Sequence, residues 1–156
     1  MFDRLSEDAR NAVAASADEA HLRGDRRVGT DHLLLGLLHN PVIVALLGIT
    51  LEHARQASRD LDNRALASIG IEVGDLPRPG IATRRRRMQL TSGITSEARA
   101  IFPRAYALAD TEKARKITPT HLLCALLERD PPDPVGALLA ELKVDRQQAL
   151  TIAAKS

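Results

Sequence analysis

Aromatic residues are nearly absent: of 156 residues only Phe2, Phe102 and Tyr106 carry a ring of this kind, and tryptophan is missing altogether. The core must therefore be filled by aliphatic side chains. The chain supplies 24 alanines and 23 leucines, a mixture that favours helix over strand, so an all-β sandwich is excluded. Cysteine occurs once, at Cys124, which rules out an intramolecular disulfide framework and points to a reducing, cytoplasmic setting. Long apolar runs are lacking too. The longest, Val42 to Ile49, falls far short of the roughly 20 residues a membrane span requires. At the start, Asp3, Arg4, Glu7 and Asp8 stand where a secretory signal would need an apolar stretch.

What is present describes a folded helical protein. Hydrophobic residues make up 44% and charged residues 27%, too apolar a balance for a disordered chain. The formal charge of +2 is unevenly spread. Residues 76–90 hold Arg78, Arg84, Arg85, Arg86 and Arg87 and no acid, so the rest of the chain carries 2 minus 5, or −3. The basic character belongs to one segment.

An internal repeat organises the chain. At an offset of 89 residues, Val28-Gly-Thr-Asp-His-Leu-Leu-Leu-Gly-Leu-Leu38 aligns without gaps on Ile117-Thr-Pro-Thr-His-Leu-Leu-Cys-Ala-Leu-Leu127. At the same offset Leu5 to Arg10 lies on Ile94 to Arg99, and from Leu47 the register moves to 95, implying a six-residue insertion around Pro131, Pro132 and Pro134. Each copy is expected to form four helices. Ser6 reads as an N-cap followed by acids, with an apolar face at positions 9, 12, 13, 17 and 20. Further helices are expected from about Asp31 to His39, after Pro41, and from Thr50 to about Ala67. In the second copy Thr118 caps a helix with Pro119 at its first position, and the last helix runs from Asp145. Pro103 falls inside the second copy's first helix, where a kink or late start is expected. Residues 70–92, rich in Gly, Pro and Arg, read as a linker between repeats at 1–69 and 93–156. The two narrow cores are expected to pack as one pseudo-twofold, all-α globule.

The doubled [ST]-x-x-A-R element, followed in each copy by a Thr-Asp-His-Leu-Leu or Pro-Thr-His-Leu-Leu motif, resembles the double Clp-N domain. This is the N-terminal domain of Clp unfoldases, of the ClpC type above all. The resemblance implies a domain that recruits substrates, adaptors or degradation tags, in some members phosphoarginine. It also implies candidate residues. Asp31 stands at the position whose acid would meet a guanidinium, with Ser6 supplying a hydroxyl for phosphate, and Thr95, Arg99 and Thr120 are their weaker counterparts in the second copy. Thr120 lacks the acid and Pro119 removes an amide there. Phe2, Leu5 and Ile94 are expected to line a peptide-binding groove between the copies.

His32 and His121 coincide in the repeat and are read as structural, and Cys124 as a small core residue. No catalytic set, metal site or cofactor is expected. The nearest thing to a phosphate loop, Gly24 to Gly29, is followed by Thr30 and Asp31 instead of Lys and Ser/Thr. The expectation is a monomeric, cytoplasmic, stand-alone Clp-N protein without ATPase modules. It would bind Clp substrates, adaptors, a Clp unfoldase or Clp-targeting peptides, and act as a regulator or decoy in Clp-dependent proteolysis. The rival reading is nucleic-acid binding through Arg84 to Arg87, a contact set that would be salt-dependent and unspecific.

Overall fold

In the computed structural model, which describes residues 3–70 and 93–155, local capping sets the helix starts. The Ser6 hydroxyl accepts the Ala9 amide and begins α1 (Glu7–Leu22). Three more helices complete the first copy: α2 (Thr30–Leu37), α3 (Pro41–Leu47), capped by Asn40, and α4 (Leu51–Ser68), capped by Thr50. The second copy contains α5 (Ser96–Arg99), α6 (Ile101–Thr111), α7 (Pro119–Leu127), α8 (Pro134–Glu141) and α9 (Arg146–Lys155). Among the described residues there are nine helices and no strand longer than a single bridge. The all-α expectation holds, and the expected linker lies almost wholly outside the described residues.

Pro103 explains why the second copy has an extra helix. In an unbroken helix its missing N–H would orphan the Arg99 carbonyl. The helix instead breaks at Ala100 and restarts at Ile101, so that Pro103 falls in a first turn, where amides have no intrahelical partner.

The repeats are interlaced rather than merely adjacent. Helices α2 and α7 are apolar all round beyond their first turns and lie at the centre, with Leu34, Leu35, Leu37, Leu123, Leu126 and Leu127 buried. Helix α3 packs on α7 and α9 of the other copy, and α8 reciprocally on α2 and α4. Two parallel bridges stitch the copies, Leu5 to Ile117 and Val28 to Ile94. Ser6 N donates to Ile117 O at 2.9 Å, and Thr95 N to Val28 O at 3.0 Å. Ile117 N donates to Arg4 O, and Val28 N to Gly93 O. Every partner in one bridge is the 89-residue counterpart of a partner in the other.

The insertion of the second copy adds one asymmetric tie. Asp133 caps α8, and the buried Thr30 hydroxyl donates to its carboxylate while accepting the Val135 amide at 3.1 Å. Pro119 stands at the matching position and offers no hydroxyl.

Two turns also differ by repeat. Gly24 (φ 76°) and Gly48 (φ 69°) adopt left-handed backbone after α1 and α3, and their counterparts are Lys113 (φ 59°) and Lys143 (φ 57°). Left-handed backbone costs a non-glycine residue about 1–2 kcal/mol, partly offset by glycine's larger entropy loss on folding, roughly 0.5–1 kcal/mol. Lys113→Gly and Lys143→Gly are each expected to stabilise the chain by about 0.5–1 kcal/mol. Urea midpoints measure this. Destabilisation by either change would show that the lysine side chain contributes more than its backbone costs.

Candidate functional site

The corner between the end of α1 and the start of α2 concentrates buried charge. Its frame is the motif histidine. His32 Nδ1 accepts the Gly29 amide at 2.8 Å, which leaves the ring proton on Nε2, 2.7 Å from Asp25 Oδ2. The second copy repeats this with Thr118 N to His121 Nδ1 at 3.0 Å and Nε2 to Glu112 at 2.7 Å. Both rings therefore close helix starts, in the manner of a capping box, as the symmetry of the sequence led us to expect.

Asp31 follows in the first turn of α2, and it already holds a guanidinium. Arg23 Nη1 donates to Asp31 Oδ2 at 3.0 Å and to Ser58 Oγ at 2.7 Å. The Arg23 Nη2 group bonds Asp62, and Nε lies 3.5 Å from Asp25. Burial pushes the Arg23 pKa down, but the charges of Asp62, Asp31 and Asp25 outweigh it and hold the group above its ordinary value. Burial raises the Asp62 carboxyl, and its neighbours Asp25 and Asp31 add to that against the pull of Arg23. For Asp25, burial also acts upward, yet the His32 bond and Arg23 prevail and the carboxyl lies below its usual range.

The seam decides what faces this corner. Because Thr95 N bonds Val28 O, the start of α5 stands beside the Val28–Asp31 turn, and α5, with exposed Arg99 in its last turn, packs on α2. Exposed Arg26 and Arg27 flank the same turn. Ser6, joined to Ile117, stands instead beside the turn that carries half-buried Thr120. Ser6 and Arg23 bracket the whole of α1, whose 16 residues span about 24 Å. The pairing of Ser6 with Asp31 is thus corrected, since they lie at opposite ends of α1. The structure instead pairs the backbone at Thr95 with the turn that leads to Asp31, and the backbone at Ser6 with the turn that leads to Thr120.

No family model matches the chain. It is 28% identical over 151 residues to the chloroplastic chaperone protein ClpD2 of Oryza sativa subsp. japonica, an alignment covering 95% of this chain and 14% of the relative. The chloroplastic chaperone protein ClpD1 of the same organism is 28% identical over 156 residues, 98% of this chain and 16% of the relative. A ClpA homolog of Cyanidium caldarium, described as an ATP-dependent Clp protease ATP-binding subunit, is 32% identical over 83 residues, covering 50% and 10%. The crystal structure of the N-terminal domain of the chaperone ClpD from Arabidopsis thaliana superposes with a TM-score of 0.72 at 25% identity, covering 99% of this chain and 95% of that one. The chain has the fold of a Clp N-terminal domain and is similar in sequence to Clp chaperones. It spans only about a sixth or less of the length of the curated relatives, which bear ClpD and ClpA names.

Within this fold the expected peptide groove is corrected. Leu5 and Ile94 are 2% and 6% exposed, because each is the residue whose flanking backbone pairs across the seam, and no peptide reaches them while the repeats are joined. Phe2 and Arg84 to Arg87 lie outside the described residues. Cys124 is half-buried rather than fully in the core. Burial, with Glu112 and Glu128 nearby, pushes its thiol up and away from the thiolate form. Among the described residues no single helix is long and apolar enough to cross a membrane, and no group of His, Cys, Asp or Glu is arranged to hold a metal. The residues that sequence reasoning missed are Arg23, Asp25, Ser58 and Asp62. A signal was present: across the repeat Arg23 becomes Glu112 at the same time as Asp31 becomes Thr120.

Proposed function

We propose that this Clp-N domain is a monomeric, non-catalytic module that binds proteins and peptides marked for Clp-dependent proteolysis, phosphoarginine being the mark. It regulates their delivery to a Clp unfoldase, in whatever compartment that unfoldase occupies, by presenting or withholding them. The observation that carries this reading is the composite corner: a carboxylate, Asp31, in a geometry that holds a guanidinium, with α5, which carries Thr95 at its start and Arg99 in its last turn, paired by backbone to the same turn across the seam. A guanidinium matches a carboxylate's paired acceptors, and arginine matches phosphate in the same way. Arg26, Arg27 and Arg99 supply positive charge for the phosphate, while Asp31 supplies the acceptor.

Calorimetric titration with phospho-L-arginine tests the corner. Asp31→Asn and Arg99→Ala are each expected to weaken binding about tenfold or more, the scale of one charge-assisted contact. Ser6→Ala and Thr120→Ala, on the other corner, should leave it unchanged. Unaltered affinity in folded Asp31→Asn would overturn the reading.

A further inference from the structure

The clearest group without a role in that reading is Arg23. It is not a surface residue reaching for a convenient acid. It closes α1 as the C-cap, its side chain is only 18% exposed, and its guanidinium is enclosed by Asp31, Asp62, Asp25 and the Ser58 hydroxyl. Ser58 and Asp62 come from α4, 35 and 39 residues away. Three elements thus converge on one guanidinium, and one of its ligands is the carboxylate to which ligand recognition was assigned above.

We propose that Arg23 is a built-in occupant of the Asp31 site, a guanidinium supplied by the domain itself that an incoming arginine-type ligand must displace. The inference rests on the reading of Asp31 as the guanidinium acceptor. Asp31 is 16% exposed and uses Oδ2 for Arg23, so a ligand approaching from the Thr95 side meets an acid already engaged. Displacement leaves Arg23 without an acceptor deficit, because Asp62 and Asp25 remain to hold it. The occupant therefore lowers affinity without abolishing it: apparent affinity falls by the fraction of molecules in which Arg23 has left Asp31.

The second copy shows the same pair removed together. Glu112 replaces Arg23 and Thr120 replaces Asp31, and Glu112 turns to His121 instead. Where the acceptor is missing, so is the occupant. The guard belongs to the first-copy corner.

The test compares Arg23→Gln/Asp62→Asn, which removes one positive and one negative charge and so keeps the formal charge of the cluster, with wild type and with Asp31→Asn. Probes are phospho-L-arginine, L-arginine amide and, as a charge control, L-lysine amide. The double variant is expected to bind both arginine probes about tenfold tighter than wild type, as for an open fraction near one tenth, with the lysine probe unchanged. An equal gain for lysine, or no gain for arginine in the folded double variant, overturns the guard. If L-arginine amide gains but phospho-L-arginine binds no variant, the guard stands and the phosphoarginine reading falls. If phospho-L-arginine binds wild type and double variant alike, and Asp31→Asn not at all, the reading stands and the guard falls. Should the double variant not fold, wild type decides by NMR. Saturation with phospho-L-arginine must move the Arg23 side-chain N–H resonances, and static resonances would overturn the proposal.

Discussion

Arg55→Ala is expected to destabilise the domain by about 3–4 kcal/mol, the cost of stripping a buried charge of its main partner. The charge concerned is Glu19, whose side chain is only 3% exposed inside the apolar face of α1. Arg55 grips it with two bonds, Nε to Oε1 at 2.9 Å and Nη2 to Oε2 at 2.6 Å, and His39 adds a third at 3.0 Å. The two partners are unequal. Arg55 and His39 are 30% and 39% exposed and can turn to water, so Glu19→Gln should cost less, about 1–2 kcal/mol. For a chain of this length the Arg55 change corresponds to a fall in Tm of roughly 2–4 °C per kcal/mol. Equal losses from the two substitutions in urea melts would contradict the asymmetry.

The same cluster has a pH signature. Burial pushes the Glu19 carboxyl up, but its bonds to Arg55 and His39 and their charges prevail, leaving the pKa below its ordinary value of 4.5. The unfolded chain therefore takes up this proton first on acidification. Glu19 contributes its full stability above the ordinary carboxyl range and loses it as the pH falls from there through the lowered value. In Arg55→Ala the upward effect of burial is no longer balanced by that guanidinium, and the acid loss should begin at higher pH. Stability of both proteins measured between pH 3 and pH 7 checks this.

Gly36→Ala should cost nearly as much, about 3 kcal/mol, at the upper end of the overpacking range. A Cβ at Gly36 would lie 2.3 Å from Ala12 O and 2.6 Å from Ser16 N. Those are backbone atoms of α1 and cannot rotate away, so the α1–α2 crossing must open. Opening it strains the Arg23–Asp31 corner, which spans the same two helices. The expected result is a lowered denaturation midpoint, and a midpoint within error of wild type would show that α1 moves freely over α2. At the matching place in α7 the chain carries Ala125, buried at 1% exposure, so the two crossings are not interchangeable.

Much of this architecture was legible because its determinants are local. Ser6, Thr50 and Thr118 mark helix starts through bonds made within three residues, Pro119 marks one by lacking an amide, and Pro103 forces its break by chemistry confined to one turn. The repeat supplied the rest by placing one copy's caps on the other's. What stayed hidden depends on where the copies meet. Ser6 and Asp31 read as a pair because both sit in the first repeat, although the length of α1 separates them. Leu5 and Ile94 read as a surface because each precedes a helix, and nothing local in an isolated aliphatic residue distinguishes a groove from a seam. Glu19 interrupts the apolar face at a buried position, and its partner Arg55 lies 36 residues on. Long-range ion pairs leave no periodic trace.

The four hydrogen bonds of the seam involve backbone atoms alone. Joining the copies in this way asks almost nothing of residue identity: Arg4 answers to Gly93, Ser6 to Thr95 and Val28 to Ile117, and the geometry is kept. Pairing and recognition are thereby inherited separately. One corner can hold an arginine against an aspartate while its pseudo-twofold mate holds a glutamate and a threonine, with the same backbone pairing beside both. A tie made by side chains, such as Thr30 to Asp133, must by contrast change at both partners in concert. Here one binding corner can specialise or lapse by substitution at a few positions, while its twin is left undisturbed.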